Sequence, residues 1–219
     1  MGEVMQAQVM RWRGPLMSLG GSRIDGYAQQ MPIPSLTMVA GMLGAALGYR
    51  RGDERLGALA EALRYGVVVH RPGTPLVDFQ TADLAAIGMK CAVVDRHGAL
   101  QVIRREGSGG AKERQMQYRP LLADADMSVV AAVDPPWTAP QLIEALRDPV
   151  FPLCLGRQSC PPGGQVGERV LEASSLGDAL DLVKSERGGT LYRPVAGLVD
   201  GLVVSVPSRG RGAMLFAVG

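Results

Sequence analysis

The sequence predicts an α+β fold, and three observations lead to this prediction. Alternating apolar and polar residues, typical of strands, occur near both ends of the chain. Runs with apolar residues at helical spacing lie between them, and several follow a residue that favours a helix start. The chain has 219 residues, 47% of them hydrophobic, which is enough to bury one sizeable core or two small, closely packed domains.

The first third of the chain contains two predicted strands and two predicted helices. Residues 3–12, EVMQAQVMRW, alternate as a strand does. Ser35 is a suitable N-cap for a helix over residues 36–51. A second helix is predicted over residues 53–65, because its leucines recur at helical spacing, and residues 66–71, GVVVHR, form the strand that leaves it.

The middle of the chain predicts a hairpin followed by a core strand. Residues 89–95 and 99–105 are strand-like and flank a short turn, so they form a β-hairpin. Residues 106–115 are rich in glycine and carry basic side chains, and we expect them to be mobile until they meet a ligand. Residues 127–133, MSVVAAV, then form a buried strand.

Two capped helices and a proline-bounded loop follow. Thr138 caps a predicted helix over residues 138–148, and Ser175 caps another over residues 176–185. Between them lies the loop PLCLGRQSCPP at residues 152–162. Its glycine, arginine and two cysteines make it the segment of the chain most suggestive of function.

The order of the elements predicts a ferredoxin-like half with a smaller β-rich remainder. Short strands at residues 202–207 and 213–219 end the chain. We therefore expect one domain over residues 1–150 and a small β-rich domain over residues 151–219.

The charge distribution is more informative than the net charge, which is only +2. Arginines recur beside glycines in the segments GGSR, LGRQ and SRGRG. Glycine lets a backbone approach a ligand closely, and the arginine fork suits a phosphate. Aromatic residues make up 5% of the chain, which argues against a broad base-stacking surface.

Three readings of the loop PLCLGRQSCPP are possible. A zinc site would need four ligands, whereas Cys154 and Cys160 supply two at most. A catalytic thiol would need a nearby base, and the sequence places neither His70 nor His97 beside these cysteines. An anion-binding loop fits the composition better, and a turn with a solvated arginine is the plain alternative. Cys154, in its apolar context, is expected to be a core residue.

Several classes of function are disfavoured. No GxxxxGK[ST] or strand-linked GxGxxG motif occurs, so nucleotide hydrolysis and dinucleotide binding are not expected. No apolar run is long enough to span a bilayer, and no leader pattern is present, so we expect a soluble cytoplasmic protein with reduced thiols. We expect no metal and no cofactor.

These motifs together resemble the CasD-like subunits of type I-E CRISPR Cascade, which belong to the fifth family of RAMP-type Cas proteins. The similar segments are GPLMSLGG (14–21), PSLTMVAGMLGAALG (34–48), RPGTPLVDFQTA (71–82), YRPLLADADMSVV (118–130), PLCLGRQSCPP (152–162) and, more loosely, VSVPSRGRGAMLFAV (204–218). They run from one end of the chain to the other, and their order also agrees.

The resemblance implies an RRM-like domain with a protruding β-hairpin thumb, here about residues 82–117, and a small C-terminal β domain. It also implies a non-catalytic role in antiviral defence. In this family the subunit caps the 5′ handle of the guide RNA and contacts the backbone subunits and the large, PAM-recognising subunit. It meets target DNA only through the complex, and no membrane is involved.

The residues that we expect to contact RNA lie in the arginine-glycine loops, at the start of the first helix and near the thumb. They are Arg23, Ser35, Thr37, Lys112, Arg114, Tyr118, Arg119, Gly156, Arg157, Gln158, Ser159, Cys160, Arg209 and Arg211. Two positions depart from the family pattern. Leu36 replaces a residue that is often basic, which leaves Ser35, Thr37 and the helix N-terminus to bind a phosphate, and Leu19 replaces an aromatic residue.

Two other functions are weighed against this one. Type I-C members of the family are metal-independent endoribonucleases that process precursor CRISPR RNA, and this chemistry needs a cluster of Tyr, Lys and His-like groups. The lysines and histidines of this chain are His70, Lys90, His97, Lys112 and Lys184, and they form no obvious cluster with a tyrosine. An anion-binding metabolic enzyme would require the resemblance to be accidental.

Overall fold

The computed structural model describes residues 4–24, 27–83, 90–94, 100–104, 114–195, 203–208 and 212–218. These residues contain four helices: α1 (Leu36–Ala46), α2 (Glu54–Ala62), α3 (Ala139–Arg147) and α4 (Leu176–Arg187). The strands of the first half are β1 (Met5–Arg13), β2 (Leu16–Met17), β3 (Gly20–Ile24), β4 (Tyr27–Gln30), β5 (Leu63–Arg71), β6 (Thr74–Asp83), β7 (Lys90–Val94) and β8 (Leu100–Arg104). The remaining strands are β9 (Arg114–Ala123), β10 (Asp126–Val133), β11 (Gly167–Ala173), β12 (Thr190–Val195), β13 (Val203–Ser208) and β14 (Gly212–Val218).

A seven-stranded sheet organises the fold, and its strand order is β11-β1-β10-β5-β12-β14-β13. All of its neighbouring strands are antiparallel. Helices α1 and α2 connect β1 to β5, and α3 connects β10 to β11. The strand, helix and hairpin elements predicted from the sequence are thus present, and the mixed α+β class is confirmed.

The helix starts agree with the predicted caps. The side chains of Ser35, Thr138 and Ser175 each accept a hydrogen bond from a backbone N–H in the first turn of the helix that follows. Helix α1 ends at Ala46, earlier than predicted, and Gly48 follows in the left-handed region with φ +79°. Such a glycine commonly terminates a helix, because other residues are strained in this conformation.

The two faces of the sheet are covered by different helices. The larger core lies on the face toward α1 and α3, where it includes Trp12, Leu43, Tyr65 and Leu142. The smaller core lies on the opposite face, where Leu180 of α4 packs with valines of the central strands. An RRM leaves one sheet face open for RNA bases. Here α4 covers that face over Val9, Val68 and Val130, and an RRM-type stacking surface is excluded at those positions.

The C-terminal strands join the same sheet as the N-terminal ones. Strand β11 pairs with β1. Strand β12 pairs with β5 on one side and with β14 on the other, and β14 pairs with β13. The predicted separation into domains 1–150 and 151–219 therefore divides one continuous sheet. Strands β11 and β12 pair with β1 and β5, which lie more than a hundred residues away along the chain, so local sequence patterns do not reveal these pairings.

A long two-stranded element extends from the region of β2. Strands β6 and β9 pair over their whole length, from Thr74 opposite Ala123 to Asp83 opposite Arg114. The hairpin of β7 and β8, which was predicted from the sequence, lies between them along the chain. Residues 82–117, for which a thumb was predicted, include this hairpin and the adjoining ends of β6 and β9.

None of the helices within the described residues combines the length and the apolar character needed to cross a membrane.

Candidate nucleic-acid interface

The LGRQSC loop at residues 155–160 is a tight, anchored turn. The Leu155 N–H donates to the Cys160 carbonyl at 2.7 Å, and the Cys160 N–H donates to the Arg157 carbonyl at 2.9 Å. The Ser18 N–H donates to the Leu155 carbonyl at 2.9 Å, which fixes the loop to the chain after β2. The loop is therefore held in place by backbone hydrogen bonds and does not depend on side-chain contacts alone.

Gly156 is required by the geometry of this turn. Its φ is +96°, and a Cβ atom added there would lie 1.9 Å from the carbonyl oxygen of Ser18. Any other residue would be strained and would also collide with the backbone. Arg157 is half-buried, whereas Gln158 and Ser159 are exposed, so the turn presents these three side chains from a fixed backbone.

The two cysteines of the loop differ from expectation, since Cys154 was expected to be a core residue and Cys160 to contact RNA. Cys160 is fully buried and belongs to the large core, so its side chain supports the loop and its inclusion among the RNA contacts is revised. Cys154 is half-buried and lines a pocket. Burial, followed by the proximity of Cys160, raises the pKa of the Cys154 thiol, which keeps it protonated and unreactive.

The N-terminus of α1 lies beside this loop. Ser35 is buried, and its hydroxyl caps the helix and lies 3.0 Å from the hydroxyl of Thr37. Thr37 is exposed. The first N–H groups of a helix lack partners within the helix and carry partial positive charge. The Tyr65 hydroxyl donates to the Pro34 carbonyl at 2.7 Å, so a buried side chain of β5 fixes the approach to this helix start.

A pocket of about 320 Å³ opens where the loop and α1 meet, and Thr37, Cys154 and Gly156 are part of its wall. Met38, Met42 and Trp12 supply apolar surface. The indole N–H of Trp12 is buried and finds no hydrogen-bond partner among the described residues. The pocket therefore offers an apolar wall to an incoming group.

Arg51 adds a positive charge to the same pocket. Its side chain is exposed and makes no hydrogen bond or ion pair with another residue of the described part of the chain. Sequence reasoning missed both Arg51 and Trp12. Arg51 was assigned to the end of a helix and Trp12 to an alternating strand, and neither position carries a local pattern that indicates a pocket.

The predicted residues of β9 lie outside this pocket. Tyr118 is 40% exposed, and its ring centroid lies 5.1 Å from that of Phe79, which is 51% exposed. Arg119 is half-buried on the same strand, and Arg114 is its first residue. Phe79 and Tyr118 form a second exposed surface with aromatic character, on the sheet of β6 and β9.

Five predicted contacts, Arg23, Lys112, Arg114, Arg209 and Arg211, have no described side chain. Arg23 lies on β3, opposite Ala28 of β4, and its backbone alone is described. Lys112, Arg209 and Arg211 lie outside the described residues, as does most of the segment 106–115. The basic segment and the SRGRG turn therefore stay predictions.

His70 has a structural role. Its Nδ1 donates to the Gly188 carbonyl at 2.7 Å, because a carbonyl oxygen only accepts, and its Nε2 then accepts from the Ser128 hydroxyl at 2.9 Å. Burial lowers the pKa of His70, and the positive charges of Arg11 and Arg187 lower it further. Both ring nitrogens are thus occupied in holding the end of α4 against the sheet. No group of three His, Cys, Asp or Glu residues in the described ranges could hold a metal ion.

The sequence and the fold were compared with known proteins. The family model described as CRISPR-associated protein (Cas_Cas5) matches residues 9–213. The chain is 28% identical over 158 residues to the CRISPR system Cascade subunit CasD of Escherichia coli strain K12. This match covers 70% of the chain and 66% of that protein, so the chain spans just under two thirds of its length.

Two solved structures share the fold. One, from a CRISPR RNA-guided surveillance complex, has a TM-score of 0.68 with 24% identity, and the match covers 97% of this chain and 89% of that one. The other, a crystal structure of a Cas protein, has a TM-score of 0.59 with 25% identity, and the match covers 97% and 92% of the two chains. Because the family model extends over nearly the whole chain, this protein belongs to the CRISPR-associated protein (Cas_Cas5) family.

Proposed function

We propose that the protein is a non-catalytic RNA-binding subunit of a type I CRISPR effector of the Cascade type, which holds the 5′ handle of the guide RNA. The observation that carries this proposal is the pocket at which the LGRQSC loop, the start of α1 and Arg51 converge. A named Cascade subunit among the relatives supports the same assignment.

The pocket suits single-stranded RNA in its chemistry. The guanidinium of Arg51 and the first turn of α1 would hold a phosphate, since both carry positive charge and N–H donors. The apolar wall would receive a sugar or a splayed base, which presents an apolar face. Arg157, Gln158 and Ser159 would contact the neighbouring nucleotides.

The finer description of the fold belongs to this proposal. The order β-α-β-β-α-β along β1, α1, β5, β10, α3 and β11 supports a ferredoxin-like core. The long pairing of β6 with β9 supports a thumb. We propose that the thumb and the exposed Phe79 and Tyr118 face neighbouring backbone subunits and RNA, and that the large subunit lies nearby. In this proposal the subunit meets target DNA only through the complex.

The test is RNA retention by the complex purified together with the proteins encoded beside this one. Arg157→Ala should weaken retention of the short RNA by roughly 1–3 kcal/mol, and Arg157→Lys should rescue it partly, because lysine lacks the planar fork. Arg51→Ala should also weaken it. Arg64→Ala is the matched control, since Arg64 is an exposed arginine paired with Asp134, away from the pocket.

The loss should not depend on the spacer sequence, because phosphate contacts carry no sequence information. Thermal melting of each variant separates RNA loss from unfolding. Normal RNA content in folded Arg157→Ala and Arg51→Ala complexes would show that the pocket does not hold the handle.

Cleavage of repeat RNA tests the non-catalytic part of the proposal. His70 is occupied by two hydrogen bonds, and we expect no specific cleavage by the purified chain with or without Mg²⁺. Specific cleavage that persists through repurification and disappears in His97→Ala or His70→Ala would instead establish a processing endoribonuclease.

A further inference from the structure

A second cleft lies at the end of β1, on the sheet face that α4 covers. Its volume is about 460 Å³, and its walls include Arg11, Arg13, Gln165, Glu168 and Arg187. Arg11 and Arg13 point to the face opposite Trp12, because side chains alternate along a strand. This cleft and the pocket of Trp12 therefore lie on opposite faces of the same strand end.

Arg11 is fixed in the wall of the cleft. Its Nη2 lies 2.5 Å from a carboxylate oxygen of Asp126, while its buried Nη1 has no hydrogen-bond partner in the described part of the chain. The second oxygen of Asp126 is likewise buried and unpartnered there. The pair is close to neutral overall, and it leaves one buried guanidinium donor of Arg11 without a partner beside the cleft.

The other charges of the cleft leave a surplus of one positive charge. Glu168 pairs with Arg187, with one N···O distance of 3.1 Å, and also lies 3.7 Å from Arg169. Arg13 is exposed, and its side chain pairs with no other described residue. Three lining arginines thus face the two carboxylates of Asp126 and Glu168.

One stretch of chain connects this cleft to the LGRQSC loop. The Gly163 N–H donates to the Arg13 carbonyl at 2.7 Å, and the Arg11 N–H donates to the Val166 carbonyl at 2.8 Å. Residues 163–166 therefore run beside the edge of β1 and join the LGRQSC loop to β11 at the cleft.

We propose that the cleft of Arg11, Arg13 and Arg187 is a second oxyanion site, which binds a backbone phosphate of the same RNA strand. This inference rests on the proposed function. It adds a contact on the opposite sheet face, so that the strand passes around the end of β1. The arginine forks and the exposed backbone at Gly164 suit a phosphodiester group.

The experiment measures binding of the full-length chain to the co-purifying short RNA, synthesised with a fluorescent label, over a series of salt concentrations. Arg13→Gln should raise the Kd by about 3- to 10-fold and reduce the salt slope by about 0.7, the value for one phosphate contact on a single strand. Glu168→Gln should lower the Kd, because it removes a negative charge and releases Arg187. Arg64→Gln is the control for the change in net charge, at the opposite end of β5.

Each outcome decides the proposal. Opposite shifts for Arg13→Gln and Glu168→Gln, with an unchanged Arg64→Gln protein, would support it. If Arg51→Gln and Arg157→Ala weaken binding while Arg13→Gln matches the control, the cleft is not an RNA site and the proposed function stands. If the unaltered chain does not bind the RNA, both proposals fall. If Arg13→Gln binds RNA normally but no longer assembles with its neighbours, the cleft receives an acidic side chain of a partner protein, which overturns the inference.

Discussion

The two faces of the seven-stranded sheet differ in what covers them and in what they leave open. On the α1 and α3 face, a large core that includes Trp12, Leu43 and Tyr65 continues up to the wall of the candidate RNA pocket. On the α4 face, a smaller core gives way at the end of β1 to Arg11, Asp126 and Glu168. On the α1 and α3 face, the packed core positions the candidate RNA pocket. On the α4 face, charged side chains of the strands line the cleft.

The pocket on the α1 and α3 face is held in place by hydrogen bonds. Its loop is anchored by backbone hydrogen bonds, and its helix start is tied to β5 through the Tyr65 hydroxyl. Burial raises the pKa of Tyr65, so this hydroxyl stays a donor at all physiological pH values. The charged cleft depends instead on ion pairs that are partly exposed, and such pairs contribute little to stability. Substitutions on the α1 and α3 face should therefore lower the free energy of unfolding more than substitutions on the α4 face.

The largest loss of stability is expected for Gly156→Ala. The added methyl group would meet the Ser18 carbonyl oxygen at 1.9 Å, and alanine is strained at φ +96°. Together these effects should cost about 3 kcal/mol or more. Gly52→Ala is the matched control, since Gly52 has φ +89° with nothing within 4 Å of an added Cβ, and it should cost about 1 kcal/mol. Chemical denaturation measures both, and equal losses would show that the loop is not packed as described.

The two cores can be compared directly by substituting one buried leucine in each. Leu43 and Leu180 are both almost completely buried, the first in the large core and the second in the small one. Leu43→Ala should cost about 3–5 kcal/mol and Leu180→Ala about 2–3 kcal/mol, because the thin α4 layer can relax around the cavity more easily. Denaturation midpoints with unchanged slopes would measure the difference. A larger loss at Leu180 would reverse the ranking of the two faces.

The smallest effect concerns pH and the α4 face. The pKa of His70 lies below its usual value of 6.5 in the folded chain, so below that pH the unfolded chain binds more protons. The His70 contribution is therefore complete above pH 6.5 and decreases as the pH falls. The drop in Tm between about pH 7.5 and about pH 5.5 should be larger for the unaltered protein than for His70→Gln. An equal drop in both proteins would show that His70 does not couple α4 to pH.

Local features of the sequence predicted most of the elements. The strand alternation of residues 3–12 and the caps Ser35, Thr138 and Ser175 indicate structure through nearest neighbours, and the structure agrees with them. The fusion of the N- and C-terminal strands into one sheet was not predicted, because strand pairing depends on partners distant in sequence.

In the candidate site, too, the sequence predicted features set by the local backbone and missed those set by distant packing. Gly156 could be identified from its place in a proline-bounded turn, since only the local backbone is involved. Arg51 and Trp12 could not be identified, because their role depends on the packing of β1, α1 and the loop against one another. Arg11 and Arg13 look like the polar positions of an alternating strand, and only the packing of residues 164–168 and Arg187 beside them forms a cleft.

The central claim is that RNA binds at the pocket formed by the LGRQSC loop and α1. Ultraviolet cross-linking of the purified complex, followed by mass spectrometry of the peptides attached to RNA, tests it most directly. The account predicts cross-links to peptides that contain Trp12, Met38 and residues 152–160, and their loss in Arg157→Ala. Cross-links confined to other parts of the chain, with none in these peptides, would contradict it.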